Sequence, residues 1–408
     1  MRNCLKIVAL SCTLLAGTAM YTGAVAADAK GPTVSKHAAK PLKEAQEAMT
    51  AQNWDKALAS LKTAQALPDR NAYDNFVIDA WLGRVYVAQK DYSDAAKALY
   101  EAAHSQYASP EQARQWLKAV FSVYYQQKDY VNAVKVGDEA IQRGDNGADM
   151  VLLVAQAEYL QKNYKAAATR MQALVDKQSK PDEKSLEFLW DCYVKSNDDA
   201  NAYKTVEKLV TYYPKPDYWL NALAPLLKQQ SSDQHVQMET YRLMDEVGVL
   251  KDAGFYTDLA RYASSLGYPG LAVTTLDEAF SRNVFTSPVD KNRAQAQLND
   301  YKKRAATDKA QLDQSAKDAA SSATGDAYMG VGGGYLSYGQ YPQAVSALQK
   351  AVAKGNLKTP DEAYLLLGIA QFKAKNLAGA RDAFAKVAQS KNPGYSRLGQ
   401  LWALRAKG

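Results

Sequence analysis

The chain has 408 residues, a net charge of +7 and 47% hydrophobic residues. That is enough apolar material for a large core, and 23% charged residues exclude a disordered polyampholyte. A mean hydropathy of −0.41 excludes a multi-span membrane protein, and 3 His and 3 Cys leave little for a metal or redox centre.

Arg2 and Lys6 make a short basic start, and an apolar run follows from Ile7 to about Met20. Ala24-Val25-Ala26 supplies small residues where a signal peptidase reads. The run is too short to span a bilayer. Residues 1–26 therefore read as a cleaved secretion signal, ending after Ala26 or Ala27, and the mature chain as periplasmic. An uncleaved anchor is one alternative. A lipoprotein is another, but Ala9-Leu10-Ser11-Cys12 is a poor lipidation box. Cleavage removes Cys4, Cys12, Arg2 and Lys6, leaving a net charge of +5 and the single Cys192, which has no internal disulfide partner. No later apolar run approaches the ~18 residues of a membrane span. No Lys/Arg-rich run stands out either, which argues against nucleic acid. Residues 27–40, with Gly31 and Pro32, read as a flexible N-terminal segment.

From there the chain repeats itself. Asn53-Trp54-Asp55-Lys56-Ala57, Asp91-Tyr92-Ser93-Asp94-Ala95, Asp129-Tyr130-Val131-Asn132-Ala133 and Asn163-Tyr164-Lys165-Ala166-Ala167 share one pattern. Each has a turn-forming Asp or Asn, an aromatic, two variable residues and Ala. Weaker forms end at Ala202, Ala272, Ala344 and Ala380. The alanines are spaced 38, 38, 34, 35, 70, 72 and 36 residues apart, and Met238 in the Ala place divides the 70-residue gap. A period of this length means a stacked array. Before each turn apolar residues fall at helical spacing, as in Trp81, Leu82, Val85 and Tyr86 or Leu117, Val120, Phe121 and Tyr124. After the turn they do so again at Ala95, Ala98, Leu99 and Ala102. The Asp or Asn between them ends one helix and caps the next. One such pair cannot bury its own apolar face, so the pairs must stack.

Leu82-Gly83, Tyr86, Asp91-Tyr92, Ala95, Leu99 and Ala102 together resemble the tetratricopeptide repeat (TPR). Leu367-Gly368, Ala380 and Phe384, and Tyr193, Ala202 and Pro214, carry the same resemblance in later units. It implies an all-α TPR superhelical solenoid of about nine helix-turn-helix repeats with a C-terminal capping helix. The array would occupy 41–285 and 325–393. Pro216-Asp217-Tyr218-Trp219 and the stretch from Asp361 to Ala370 are similar to periplasmic TPR proteins associated with TonB–ExbB–ExbD systems.

Two stretches depart from the pattern. Residues 286–324 are rich in Ala, Lys, Asp and Gln and read as a degenerate repeat or a polar helical insertion, with the kept phase favouring the repeat. Gly330, Gly332, Gly333 and Gly334 should weaken their helix by ~1 kcal/mol each relative to Ala, making a soft joint. Residues 394–408 read as the capping helix, with Leu398, Leu401 and Trp402 turned inward.

Chemistry is sparse. The glycine cluster lacks dinucleotide spacing, and the Gly334-to-Gly339 stretch has one residue too many for a nucleophile elbow. His37, His104 and His235 each lack a second ligand at helical spacing, so no metal site is expected. Cys192 reads as a packed thiol, and most of the 27 Tyr as core. Neither a catalytic residue nor a cofactor is expected.

In TPR proteins the first helices of successive units line a concave groove that binds a protein or peptide. The resemblance maps that groove onto Arg84, Gln115, Lys118, Ser122, Tyr125, Gln156, Tyr159, Asp191, Lys195 and Arg261. It implies a non-enzymatic scaffold or adaptor, with TonB-system components as the narrower partners. The alternative is an assembly or binding factor for envelope polymers such as exopolysaccharide or cell wall.

Overall fold

The computed structural model describes residues 32–228 and 233–407. The signal-sequence reading of 1–26 lies outside the described residues. Among the described residues there are twenty α-helices, one 3-10 turn and no strand. Nine pairs of helices follow the repeat. They are α1 (Lys36–Thr50) with α2 (Trp54–Gln65), α3 (Ala72–Ala88) with α4 (Tyr92–His104), and α5 (Pro110–Gln126) with α6 (Tyr130–Gln142). Next come α7 (Ala148–Leu160) with α8 (Tyr164–Val175), α9 (Glu183–Lys195) with α10 (Asp199–Tyr212), and α11 (Pro216–Lys228) with α12 (Gln234–Glu246). Then follow α13 (Ala253–Ser265) with α14 (Pro269–Ser281), the long α15 (Pro288–Asp318), α16 (Asp326–Ser337) with α17 (Tyr341–Lys354), and α18 (Pro360–Lys373) with α19 (Leu377–Val387). The last helix is α20 (Pro393–Arg405).

The turn chemistry explains the pairing. Asn53, Asp91, Asp129, Asn163, Asp198 and Asn376 each accept a hydrogen bond from the backbone N–H three residues on. That satisfies one of the free donors at the start of each second helix. The residue before each cap (Gln52, Lys90, Lys128, Lys162, Asn197 and Lys375) is left-handed, with φ of 55–65°. The alanines four residues after the caps are buried, from Ala57 through Ala380, as is Met238. A small side chain there lets two helices cross closely, and only α12 carries a larger one, Met238.

The chain divides into two compact units at Ala202/Tyr203. In the first, Leu42, Leu61, Ile78 and Leu82 form one apolar cluster, and Leu117, Phe121, Met150 and Val154 form the next. Each element packs mainly on its sequence neighbours, as a stacked array requires.

The second unit differs. Residues 288–318 are one uninterrupted 31-residue helix, not a helix pair. No Asp-aromatic turn interrupts it, and only Ala294, Leu298, Tyr301 and Leu312 are buried along it. The glycine-rich helix α16 is not a soft joint. A Cβ on Gly332 would lie 2.5 Å from Leu348 Cγ, one on Gly334 would lie 2.8 Å from Leu312 Cδ1, and one on Gly333 would overlap the Tyr268 ring. Gly332, Gly333 and Gly334 let three neighbours approach α16, and that packing offsets what helix propensity loses at those positions. Helix α20 closes the array as expected: Leu398, Leu401 and Trp402 are fully buried, and Trp402 stacks on Phe384 at 5.5 Å. It also packs against α12, far back in the sequence.

Candidate protein-interaction surface

Four successive first helices of the N-terminal unit, α3, α5, α7 and α9, carry nine of the ten residues mapped from the repeat. Their apolar sides face the core, so the remaining positions are where polar side chains can stand. Arg84, Gln115 and Lys118 are exposed on α3 and α5. Gln115 Nε2 donates to Glu111 Oε1 at 2.9 Å. Together with Arg114 it holds the Glu111 carboxyl below its ordinary value, the Arg114 hydrogen bond being the larger cause. Ser122 is not presented to solvent: it is buried, and its hydroxyl donates to the Lys118 carbonyl at 2.9 Å. Tyr125 is half-buried, stacked on Phe121 at 5.8 Å and edge-on to Tyr130 at 5.5 Å. Burial pushes its hydroxyl pKa up.

Tyr159, Asp191 and Lys195 are brought together. The Tyr159 hydroxyl donates to Asp191 Oδ2 at 2.5 Å, joining α7 to α9. The exposed Lys195 ammonium stands 6.0 Å from the Tyr159 ring centre and 5.7 Å from that of Tyr164. Tyr164 and Phe188 complete this cluster at 5.1 and 5.4 Å from Tyr159. Burial and the Asp191 hydrogen bond both raise the Tyr159 pKa. Tyr159 itself is buried, so what this cluster presents to solvent is the Lys195 ammonium over the half-buried Tyr164 ring. Gln156 lies half-buried on α7. Arg261 belongs to the other unit, where its guanidinium pairs with Asp258 at 2.9 Å and lies 4.1 Å from the Tyr262 ring centre.

Sequence reasoning missed Tyr164 and Phe188. The repeat pattern made Tyr164 the aromatic of its turn, one of the Tyr read as core, and Phe188 carried no signal of its own. It also missed four partly buried rings, Tyr73, Phe76, Tyr107 and Trp116, whose centroids lie 5.2–6.1 Å apart at one end of α3 and α5. The structural roles elsewhere are plain. Arg170 makes two hydrogen bonds to the buried Glu158, at 2.8 and 3.0 Å, and pairs with Asp138 at 2.9 Å. Burial pushes the Cys192 thiol up to about 12, so it carries no thiolate at neutral pH. In the second unit, Val210, Thr211, Pro214 and Trp219 face Leu404 and Arg405 across a cleft of 460 Å³. Among the described residues, no three His, Cys, Asp or Glu are grouped to hold a metal. No described helix is long and apolar enough to cross a membrane.

No curated protein matches the chain. Solved structures similar to it include a chain in a structure of Naa15/Naa10 bound to HypK-THB, 14% identical with a TM-score of 0.36. That alignment covers 86% of this chain and 63% of the other, so the chain spans less than two thirds of that relative's length. A tetratricopeptide repeat protein from Parabacteroides merdae ATCC 43184 is 12% identical, with a TM-score of 0.29 over 83% of this chain and all of that one. A structure of the TPR2AB domain of yeast Sti1 in complex with pHSP90 is 14% identical, with a TM-score of 0.24 over 91% of this chain and 99% of that one. Likeness this loose says nothing of function. The tetratricopeptide repeat model, in contrast, matches the sequence itself at residues 42–113, 82–148 and 335–396. Those stretches coincide with helix pairs whose caps, left-handed turns and buried alanines recur in step, and over these residues the chain carries tetratricopeptide repeats.

Proposed function

We propose that the chain is a non-enzymatic periplasmic scaffold that binds another protein along the first helices of its N-terminal unit. The observation that carries this reading is that Arg84, Gln115, Lys118 and Lys195 are exposed on the first helices α3, α5 and α9, with the half-buried Tyr125 on α5 and the Tyr159–Asp191 pair joining α7 to α9. Cations reach a partner's carboxylates, and the rings supply contact area at little entropic cost. The periplasmic part rests on the secretion signal read at 1–26. The narrower role, accessory to a TonB-type energised outer-membrane transport system, rests on the two segments at 216–219 and 361–370.

The test is reversal of charge on this face. Lys118→Glu with Arg84→Glu should cut partner recovery in a pull-down from exporting cells, while helicity and Tm stay near wild type, because both side chains are exposed. Full recovery with this variant would overturn the assignment. Recovery of polysaccharide-export or cell-wall proteins in place of TonB components would move the narrower role to an envelope-polymer assembly factor.

A further inference from the structure

Helix α12 is polar in sequence yet enclosed on every side. Nine consecutive residues, Val236 to Met244, are buried, among them Gln237, Glu239, Thr240 and Arg242. The second helix of a repeat ordinarily keeps one solvated face, and a helix buried all round is ordinarily apolar. Here the enclosure comes from the far end of the chain: α20 packs on α12 and α18, and a Cβ on Gly394 would lie 2.9 Å from Val236 Cγ1. Ion pairs across 127 to 190 residues rim this closure. Lys373 and Arg405 both pair with Glu246, and Arg397 pairs with Glu207 and lies over the Tyr203 ring.

Inside the rim sits a charged cluster. Glu239 is fully buried and neither carboxylate oxygen has a hydrogen-bond partner. Arg242 Nη1 stands 3.4 Å from Glu239 Oε1. On α18, Glu362 Oε1 lies 2.6 Å from His235 Nδ1. Tyr268, which precedes α14, and Tyr395 on α20 wall the cluster, and Asp233 and Asp361 flank it at the starts of α12 and α18. Two buried carboxylates thus face one buried guanidinium and one imidazole that is a third exposed. Such a group is tolerated only while its charges balance.

We propose that this cluster is a proton-governed latch: it holds α18 and α20 on α12 in mildly acidic to neutral medium and releases α20 as the medium turns alkaline, uncovering the polar face of α12.

The signs agree. The Glu362 carboxylate, in hydrogen-bonding range, holds the His235 imidazole above its ordinary value, with burial opposing. That stabilisation is complete below the ordinary histidine value and is lost as pH rises through the raised one. Burial holds Glu239 above its ordinary value, with Arg242 opposing. Asp245 on the same helix, facing Glu278, Arg282, Lys373 and Glu246, is raised by burial to about 6. His235 and Glu239, which the α18 and α20 contacts enclose, hold their protons more tightly than free groups do, so closure weakens with rising pH.

Hydrogen–deuterium exchange of the full chain at pH 6, 7.5 and 9, corrected for intrinsic exchange, tests the latch. Protection of 234–246 and 393–405 should fall by up to about tenfold per pH unit for each proton held only in the closed state, while that of 110–126 in the N-terminal unit stays level. The double variant His235→Gln, Glu239→Gln should flatten the profile. Protection of 393–405 that does not change with pH, that falls in step with 110–126, or that keeps its slope in the double variant would overturn the proposal. Should the double variant not fold, the wild-type comparison of 393–405 with 110–126 decides alone.

Discussion

Phe121 and Gly137 exchange the roles that Gly83 and Leu99 hold one repeat earlier. Gly83 stands twelve residues before its repeat alanine, and a Cβ there would overlap Leu99. At the matching places in the next pair, the large ring is on the first helix and the glycine on the second. A Cβ on Gly137 would lie 3.0 Å from Phe121 Cδ2 and would overlap Val154 Cγ2. What the fold requires is the summed volume at the helix crossing, not a given residue at a given position. Gly137→Ala should lower stability by ~1–3 kcal/mol through overpacking. Combined with Val154→Ala, which empties the contested space, the loss should fall short of the sum of the single losses by ~0.5 kcal/mol or more. Denaturant midpoints of the four proteins in the cycle check this, and strict additivity would show that the two side chains do not compete.

The glycines of α16 divide by environment. Gly330 has nothing within 4 Å of a built Cβ, whereas Gly333 faces the Tyr268 ring. Gly330→Ala should therefore stabilise by up to ~1 kcal/mol, the helix-propensity gain. Gly333→Ala should destabilise by ~1–3 kcal/mol despite the same gain, because the buried Tyr268 has nowhere to move. Thermal unfolding of the two variants should move in opposite directions.

Lys128 occupies a left-handed turn at φ 61°. A β-carbon in that conformation costs ~1–2 kcal/mol, and glycine avoids it. The added freedom of the unfolded chain offsets ~0.4–1 kcal/mol of the benefit. Lys128→Gly should raise stability by about 0.5 kcal/mol, whereas glycine in a helix interior costs ~1 kcal/mol relative to Ala. A midpoint lower than wild type would mean that the lysine side chain makes a contact the turn depends on.

Asp79 on α3 is raised to about 6, first by burial and next by Glu101, with Arg70 opposing. A carboxyl whose folded value exceeds its unfolded one binds its proton more tightly when folded, so its burial costs stability once ionised. Stability should therefore rise as pH falls from about 7 towards the ordinary aspartate value near 4, within which window the folded state alone takes up the proton. Asp79→Asn should stabilise at pH 8 and change little at pH 4. Equal shifts at both would contradict this.

The repeat was legible because its signals are local. A cap, a turn and an alanine recur within each helix pair, and the structure buries those alanines where the period put them. Residues 288–318 leave two readings open in the sequence because alanine spacing carries phase without saying how the interval is filled. The α16 glycines misled because propensity is a property of one helix and their value lies in three neighbours. His235 looked isolated since Glu362 is remote in sequence, and no local pattern announces a pair between α12 and α18. On the candidate surface, Lys195 and Asp191 follow from the repeat register, but their meeting with Tyr159 depends on how α7 and α9 stack.

Photo-crosslinking in living cells, with the reactive side chain placed at Gln115 or at Lys135, tests the interaction surface most directly. Both positions are exposed, one on the first helix and one on the second helix of the same pair. The account expects a discrete protein adduct from position 115 that disappears when Lys118→Glu and Arg84→Glu are added, with no such adduct from 135. Equal capture from both positions, or an adduct at 115 that persists through the charge reversal, would contradict it.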